Sequence, residues 1–186
     1  MTFRKGDRVE AIMKNGEARH GTVIRGGKNI RMIVDGGESE LSGPASAFRP
    51  SDRPLPVSPP GPMDKWGVRK YQQIPGHGDT PTFHAEITFN GKKTGTAMND
   101  GHGGPDSFYF GSRAVHDGFM EDCRKWAEQF GYPDMLEPES AWLRWYVTAR
   151  PYGQTADVYV RSLKDELDRA LGRLPPRGGD RDDTQR

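Results

Sequence analysis

The sequence predicts two small domains: an all-β barrel, then an α+β domain built from an antiparallel sheet with about three helices. Three observations carry this. Residues 1–53 hold four or five short strand-like runs broken by glycine turns. Residues 54–62 read Pro-Leu-Pro-Val-Ser-Pro-Pro-Gly-Pro, and so many prolines sustain neither a helix nor a central strand. After them strand patterns come first and helix patterns follow, which is the α+β order. The expected boundaries are 1–53 for the barrel, 54–62 for a semi-rigid extended linker, 63–171 for the α+β domain and 172–186 for a disordered tail rich in Arg, Asp, Gly and Pro.

Within the first domain, Arg8-Val9-Glu10-Ala11-Ile12-Met13 alternates with period two and runs into Lys14-Asn15-Gly16, an Asn-Gly hairpin signal. His20 to Ile24 forms the next run and ends at Gly26-Gly27; Ile30 to Val34 follows and ends at Asp35-Gly36-Gly37. Ser39-Glu40-Leu41 completes the set and leads to an anchor at Phe48. Strands this short cannot build an extended sandwich, and closure into a barrel removes their exposed edges.

Gly6-Asp7-Arg8-Val9, Gly21-Thr22-Val23 and Val34-Asp35-Gly36-Gly37 together resemble the small SH3-like barrels of the KOW and Tudor type. The resemblance covers about 50 residues. It implies binding to RNA, DNA, ribosomes, RNA polymerase or modified peptides, and fold alone does not choose among them. Composition narrows the choice. The segment has only two aromatic residues, Phe3 and Phe48, which argues against an aromatic cage for methylated lysine. It has ten Lys/Arg against seven Asp/Glu, a net of +3, and Arg19, His20, Arg25, Lys28 and Arg31 surround one expected hairpin. The functional reading is a phosphate-contacting patch; the structural reading is an ordinary solvated face.

In the second domain, Trp66 to Ile74 reads as a strand with aromatic and basic residues interleaved, ending in the turn Pro75-Gly76-His77-Gly78-Asp79. Phe83, Ala85, Ile87 and Phe89 alternate onto one face of the next strand. Asn90-Gly91 is the strongest hairpin signal in the chain, with Lys92 to Met98 returning. Ser107 to Phe110 adds a last strand. Ser112 caps a helix carrying Val115, Phe119, Cys123, Trp126 and Phe130, and Gly131 ends it. Pro138 opens a second helix with Ala141, Trp142, Trp145 and Tyr146. Thr155 is the expected cap of a third, striped by Val160, Leu163, Leu167 and Leu171.

Composition sets the outer limits. The 186 residues are 33% apolar, with 24 Gly and 15 Pro, so much of the chain must be turn and loop. No apolar run approaches the ~20 residues of a membrane span. The opening Met1-Thr2-Phe3-Arg4-Lys5-Gly6-Asp7 has no apolar run behind it, so no secretory leader is expected. The single Cys123 allows no internal disulfide, which fits a reducing, cytoplasmic setting. A net charge of +1 argues against a strongly basic nucleic-acid binder of the usual kind.

Three places have a pattern that chemistry or binding requires. The loop Asn99-Asp100-Gly101-His102-Gly103-Gly104 offers consecutive backbone N–H groups that suit an anion, although it matches no phosphate-binding motif. Trp66, Arg69, Lys70 and Tyr71 mix rings and cations as single-strand nucleic-acid platforms do. His84, Glu86, Asp100 and His102 are the candidate metal set, in a region that also holds His77, Asp79, His116 and Asp117, but none of these shows a metal-ligand spacing. Cys123 falls on an apolar stripe and reads as an inert thiol; no G-x-S-x-G elbow is present, so no catalytic residue or cofactor is assigned.

Ile74-Pro75-Gly76-His77, Asn90-Gly91-Lys92, the 99–104 loop and the Trp-rich helices resemble uncharacterised proteins of tailed bacteriophages and prophages over most of residues 63–150. That resemblance implies an accessory phage protein acting in the host cytoplasm on nucleic acid or on host machinery. The leading expectation is therefore a non-enzymatic binder of nucleic acid or of a nucleic-acid-processing complex. An inhibitor of a host enzyme or defence factor, a metal-dependent hydrolase, and a small-ligand binder using the 99–104 loop remain as alternatives.

Overall fold

A computed structural model describes residues 2–36, 39–74 and 82–175. The expected 75–79 turn and residues 176–186 of the tail lie outside the described residues.

The first unit is a five-stranded antiparallel sheet of β1 (Arg8–Ile12), β2 (Ala18–Arg25), β3 (Asn29–Val34), β4 (Glu40–Pro44) and β5 (Phe48–Pro50), in the order β4-β3-β2-β1-β5. The β1–β2 turn forms where Asn-Gly predicts it: Gly16 has φ 82° and the Asn15 side chain accepts the Glu17 N–H at 3.0 Å. The sheet curls strongly around Phe3, Val9, Val23, Ile30, Met32 and Phe48, all buried. It is a half-barrel and not the closed barrel expected, since β4 and β5 are not bonded neighbours. Both edge strands end in proline, Pro44 and Pro50, which lack the N–H a ladder needs, and a 3-10 turn at Ala45–Ala47 joins them.

The second unit is a four-stranded antiparallel sheet of β6 (Trp66–Ile74), β7 (Thr82–Phe89), β8 (Lys92–Asn99) and β9 (Ser107–Phe110), ordered as numbered. One face buries Phe83, Ala85, Ile87 and Ala97 against α1 (Arg113–Gln129) and α2 (Pro138–Arg144); α3 (Ala156–Ala170) adds Val160 to the same cluster. Ser112 caps α1 by accepting the Val115 N–H. The second helix departs from expectation after Arg144, where Trp145–Ala149 widens to a π-helix in which Arg150 N–H reaches Trp145 O. Pro151 has no N–H to donate back along the helix, and the chain tightens into a 3-10 turn over Arg150–Tyr152 that ends at Gly153, φ 83°. Among the described residues no helix is long and apolar enough to cross a membrane.

The buried apolar residues form two separate clusters, one per sheet. The proline segment between them carries no helix or strand over residues 54–61 and is bonded at several points. At its start, Arg8 forks onto Asp35 with two 2.6 Å bonds and also donates to Thr22 Oγ1, Arg53 O and Pro54 O. Further on, Leu55 and Pro56 pack against Gly153. Ser58 Oγ accepts the Ala156 N–H at 2.8 Å, and Gln129 Nε2 donates to Pro60 O at 3.1 Å. Ser58 thus supplies the cap of α3 from 98 residues away, while Thr155, the expected cap, makes no side-chain bond.

Replacing Arg8 by Ala is expected to lower the unfolding free energy in urea by about 2–3 kcal/mol, because Asp35 is left half-buried without its partner. Ser58→Ala is expected to cost about 1 kcal/mol, the value of a lost cap. The same titrations check both.

Candidate functional site

The cationic run of the first sheet divides in two. β2 and β3 pair so that Arg25 lies directly opposite Arg31, with Gly26, Gly27 and Lys28 in the connecting turn. Gly26 cannot be replaced cheaply, since a Cβ there would sit 2.1 Å from Phe3 O. That close approach lays the backbone at Phe3–Arg4 against the hairpin that carries Arg25, Lys28 and Arg31, and the Arg4 N–H donates to Asp7 Oδ2 at 2.7 Å; all four basic residues are exposed. Like charges placed opposite one another across a ladder repel, and Glu40 answers only Arg31. Arg19 is elsewhere: six residues along β2, about 20 Å from Arg25, and paired with Glu17 at 3.0 Å. His20 turns to Ser51 Oγ at 2.8 Å and lies 3.8 Å from Glu10. Phe3 and Phe48 are both buried, so this unit offers no aromatic cage.

The four residues picked from β6 also separate. Trp66 is a core side chain; its indole N–H donates to Asp122 Oδ2 at 2.8 Å and its ring packs on Phe89 and Phe119. It presents no free face to a base. A bulge between Arg69 and Gln72 puts Lys70 in the left-handed region, φ 51°, and turns Tyr71 inward onto Phe83, ring centroids 5.5 Å apart. Arg69 and Lys70 stay exposed.

The 99–104 loop is braced from within. Asn99 is buried; its Oδ1 accepts the Gly101 N–H at 2.8 Å, and its Nδ2 donates to Gly104 O and to Asp106 Oδ1. Asp100 Oδ1 takes the His102 N–H at 3.1 Å. Two of the N–H groups that made the loop attractive for an anion are therefore already engaged. Gly103, with φ 81°, Gly104 and the His102 side chain remain exposed.

Beneath the loop, Asp106 Oδ2 and Glu139 Oε2 are buried without hydrogen-bond partners. Burial pushes the Glu139 carboxyl above its ordinary range, and the charges of Glu137 and Asp106 push the same way. The Tyr71 hydroxyl is raised by burial and by Asp106.

The metal candidates do not assemble. His84 lies opposite Met98, and Glu86 accepts from Lys70 Nζ at 3.0 Å and from Lys93 Nζ at 3.3 Å. Those lysines, Lys70 foremost, hold the Glu86 carboxyl below its usual range. Among the described residues no group of three or more His, Cys, Asp or Glu is placed to hold a metal ion; His77 and Asp79 lie outside them. Cys123 is buried with its thiol donating to Met63 Sδ at 3.8 Å, and burial raises it well above the normal thiol range.

Sequence reasoning missed a cleft of about 660 Å³ under the proline segment, lined by Trp126, Phe130, Trp145, Tyr146 and Arg150. Arg150 lies over the Tyr146 ring at 4.5 Å. The signal was present in the tryptophan-rich second helix, but nothing local said that the prolines return to it. It also missed Tyr109, 58% exposed on β9, which its alternation with the inward-facing Phe108 and Phe110 would have revealed. No family model, curated protein or solved structure matches the chain.

Glu139→Gln supplies the pH test. With its folded value raised, Glu139 contributes no penalty below its unfolded value and an increasing one as pH rises through the folded value. The Gln variant should therefore melt with wild type at pH 3.5–4 and above it at pH 7, by thermal scans across that range (pH marks rest on the ordinary Glu value of about 4.3).

Proposed function

We propose that this chain is a non-enzymatic nucleic-acid-binding protein of the phage accessory kind, gripping phosphates with the β2–β3 hairpin of an SH3-like half-barrel. The observation that carries the reading is the convergence of Arg25, Lys28 and Arg31 on one exposed hairpin tip, with Arg4 alongside. Glu40 answers Arg31 alone, so a polyanion would relieve the repulsion left on Arg25 and Lys28, which favours this tip over an ordinary solvated face. The SH3-like assignment is supported by the strand order β4-β3-β2-β1-β5 and by the 3-10 turn before β5. The first unit's +3 against a chain total of +1 puts the cationic surface where this reading needs it.

Anisotropy titrations of a labelled DNA duplex at several salt concentrations test it. Log affinity should fall linearly with log salt, and Arg25→Ala with Lys28→Ala should reduce that slope by about two. Binding that ignores salt, or a slope unmoved by the double variant, sinks the reading.

A further inference from the structure

The helices of the second unit bury one face of its sheet, and on the other face they reach only the end at Gly67 and buried Thr88, where the Tyr146 hydroxyl lies 3.3 Å from the place of a Gly67 Cβ. That other face holds two rows of residues placed directly opposite across the strands. One row is Arg69, Glu86, Thr96 and Tyr109; the next is Gln72, His84, Met98 and Ser107. Tyr109 and Met98 are among the exposed large side chains of the chain, and His84 is exposed beside Met98. Lys70 and Lys93 reach over the first row and converge on one oxygen of Glu86, so a single carboxylate faces Arg69 and two lysines. We infer that this open face is a binding platform for single-stranded nucleic acid, with Tyr109 and His84 stacking on bases and Arg69, Lys70 and Lys93 meeting phosphates.

The chemistry selects this ligand over others. Exposed rings on an open sheet face, interleaved with cations that one acid only partly neutralises, suit a polyanion whose bases are free to stack. A duplex hides its base faces and has no use for Tyr109. An acidic peptide would use the cations but not the rings.

The backbone at Lys70 points the same way. The bulge needs a residue in the left-handed region, where Gly or Asn is cheap and Lys is strained by about 1 kcal/mol or more. A lysine there throws its ammonium across the open face, with 67% of its side chain still exposed after pairing with Glu86. Strain retained at one position for the sake of a placed charge is the pattern of a binding surface.

This inference is separate from the hairpin reading, and the experiment keeps them apart. The full chain is titrated by anisotropy with a labelled oligothymidylate of roughly 15 nucleotides and with a duplex. An oligouridylate run in parallel identifies the preferred sugar. Tyr109→Ala should weaken single-strand binding roughly tenfold and leave duplex binding unchanged, whereas Tyr109→Phe should retain it. Lys70→Gly should weaken single-strand binding while the melting temperature holds or rises, a combination that a merely structural lysine would not produce. Duplex binding without single-strand binding overturns the inference and leaves the hairpin reading standing. Single-strand binding that Tyr109→Ala does not weaken overturns it as well.

Discussion

The Arg8 guanidinium is the joint on which the arrangement of this chain depends. It rises from the first strand of the half-barrel and donates to four groups on three pieces of the chain: the Asp35 carboxylate after β3, the Thr22 hydroxyl on β2, and the carbonyls of Arg53 and Pro54. A lysine could supply the charge but not the planar fork that holds Asp35 bidentately while still reaching the backbone. By fixing Arg53 and Pro54 to the barrel, Arg8 sets the direction in which the proline segment leaves it. Prolines then carry that direction forward, because each has its φ already restricted.

What the prolines reach is the second consequence. The segment is anchored at its far end by Gln129 on Pro60 and by Ser58 on the first turn of α3, and it roofs the cleft lined by Trp126, Trp145 and Tyr146. The two apolar clusters stay separate, yet the chain between them is bonded to both units. Lys5 over the Tyr152 ring at 5.3 Å, and Leu55 and Pro56 against Gly153, close the same junction. A proline-rich composition is compatible with a spacer in solvent and with a docked strap, and the difference lies in partners remote in sequence. Composition alone therefore says nothing of the docking.

The same division runs through the rest of the chain. Strands, turns and the first helix were legible wherever the signal was local: Asn15-Gly16, Asn90-Gly91, the alternation of Phe83 to Phe89, the Ser112 cap; of the expected α3 stripe, Val160 is buried while Leu167 and Leu171 are exposed. Features that needed pairing partners were not. Barrel closure depended on whether β4 and β5 could bond, which Pro44 and Pro50 oppose. The cap of α3 came from Ser58. Of the ring-and-cation string on β6, a one-residue bulge sent Tyr71 inward and left Arg69 and Lys70 outside, while Trp66 went to the core. The glycine loop was recognisable as a special turn, but Asn99 directs its bonding inward, and a string of glycines does not show where an asparagine side chain will turn.

Docking of the strap bears on how the two proposed surfaces would act together. Two binding sites joined by a free linker share an effective concentration limited by the volume the linker explores. Here Arg8 at one end and Ser58 and Gln129 at the other bond the segment to both units, so the linker between the two proposed surfaces is a docked strap and not a free chain. A nucleic acid with a duplex stretch beside an unpaired stretch would meet both surfaces without the ordering cost of a mobile tether. The small total charge of the chain then ceases to argue against such a ligand. What would matter is local charge, since Arg25 and Lys28 on the hairpin and Arg69 on the open face outnumber the acids Glu40 and Glu86 that pair with their neighbours.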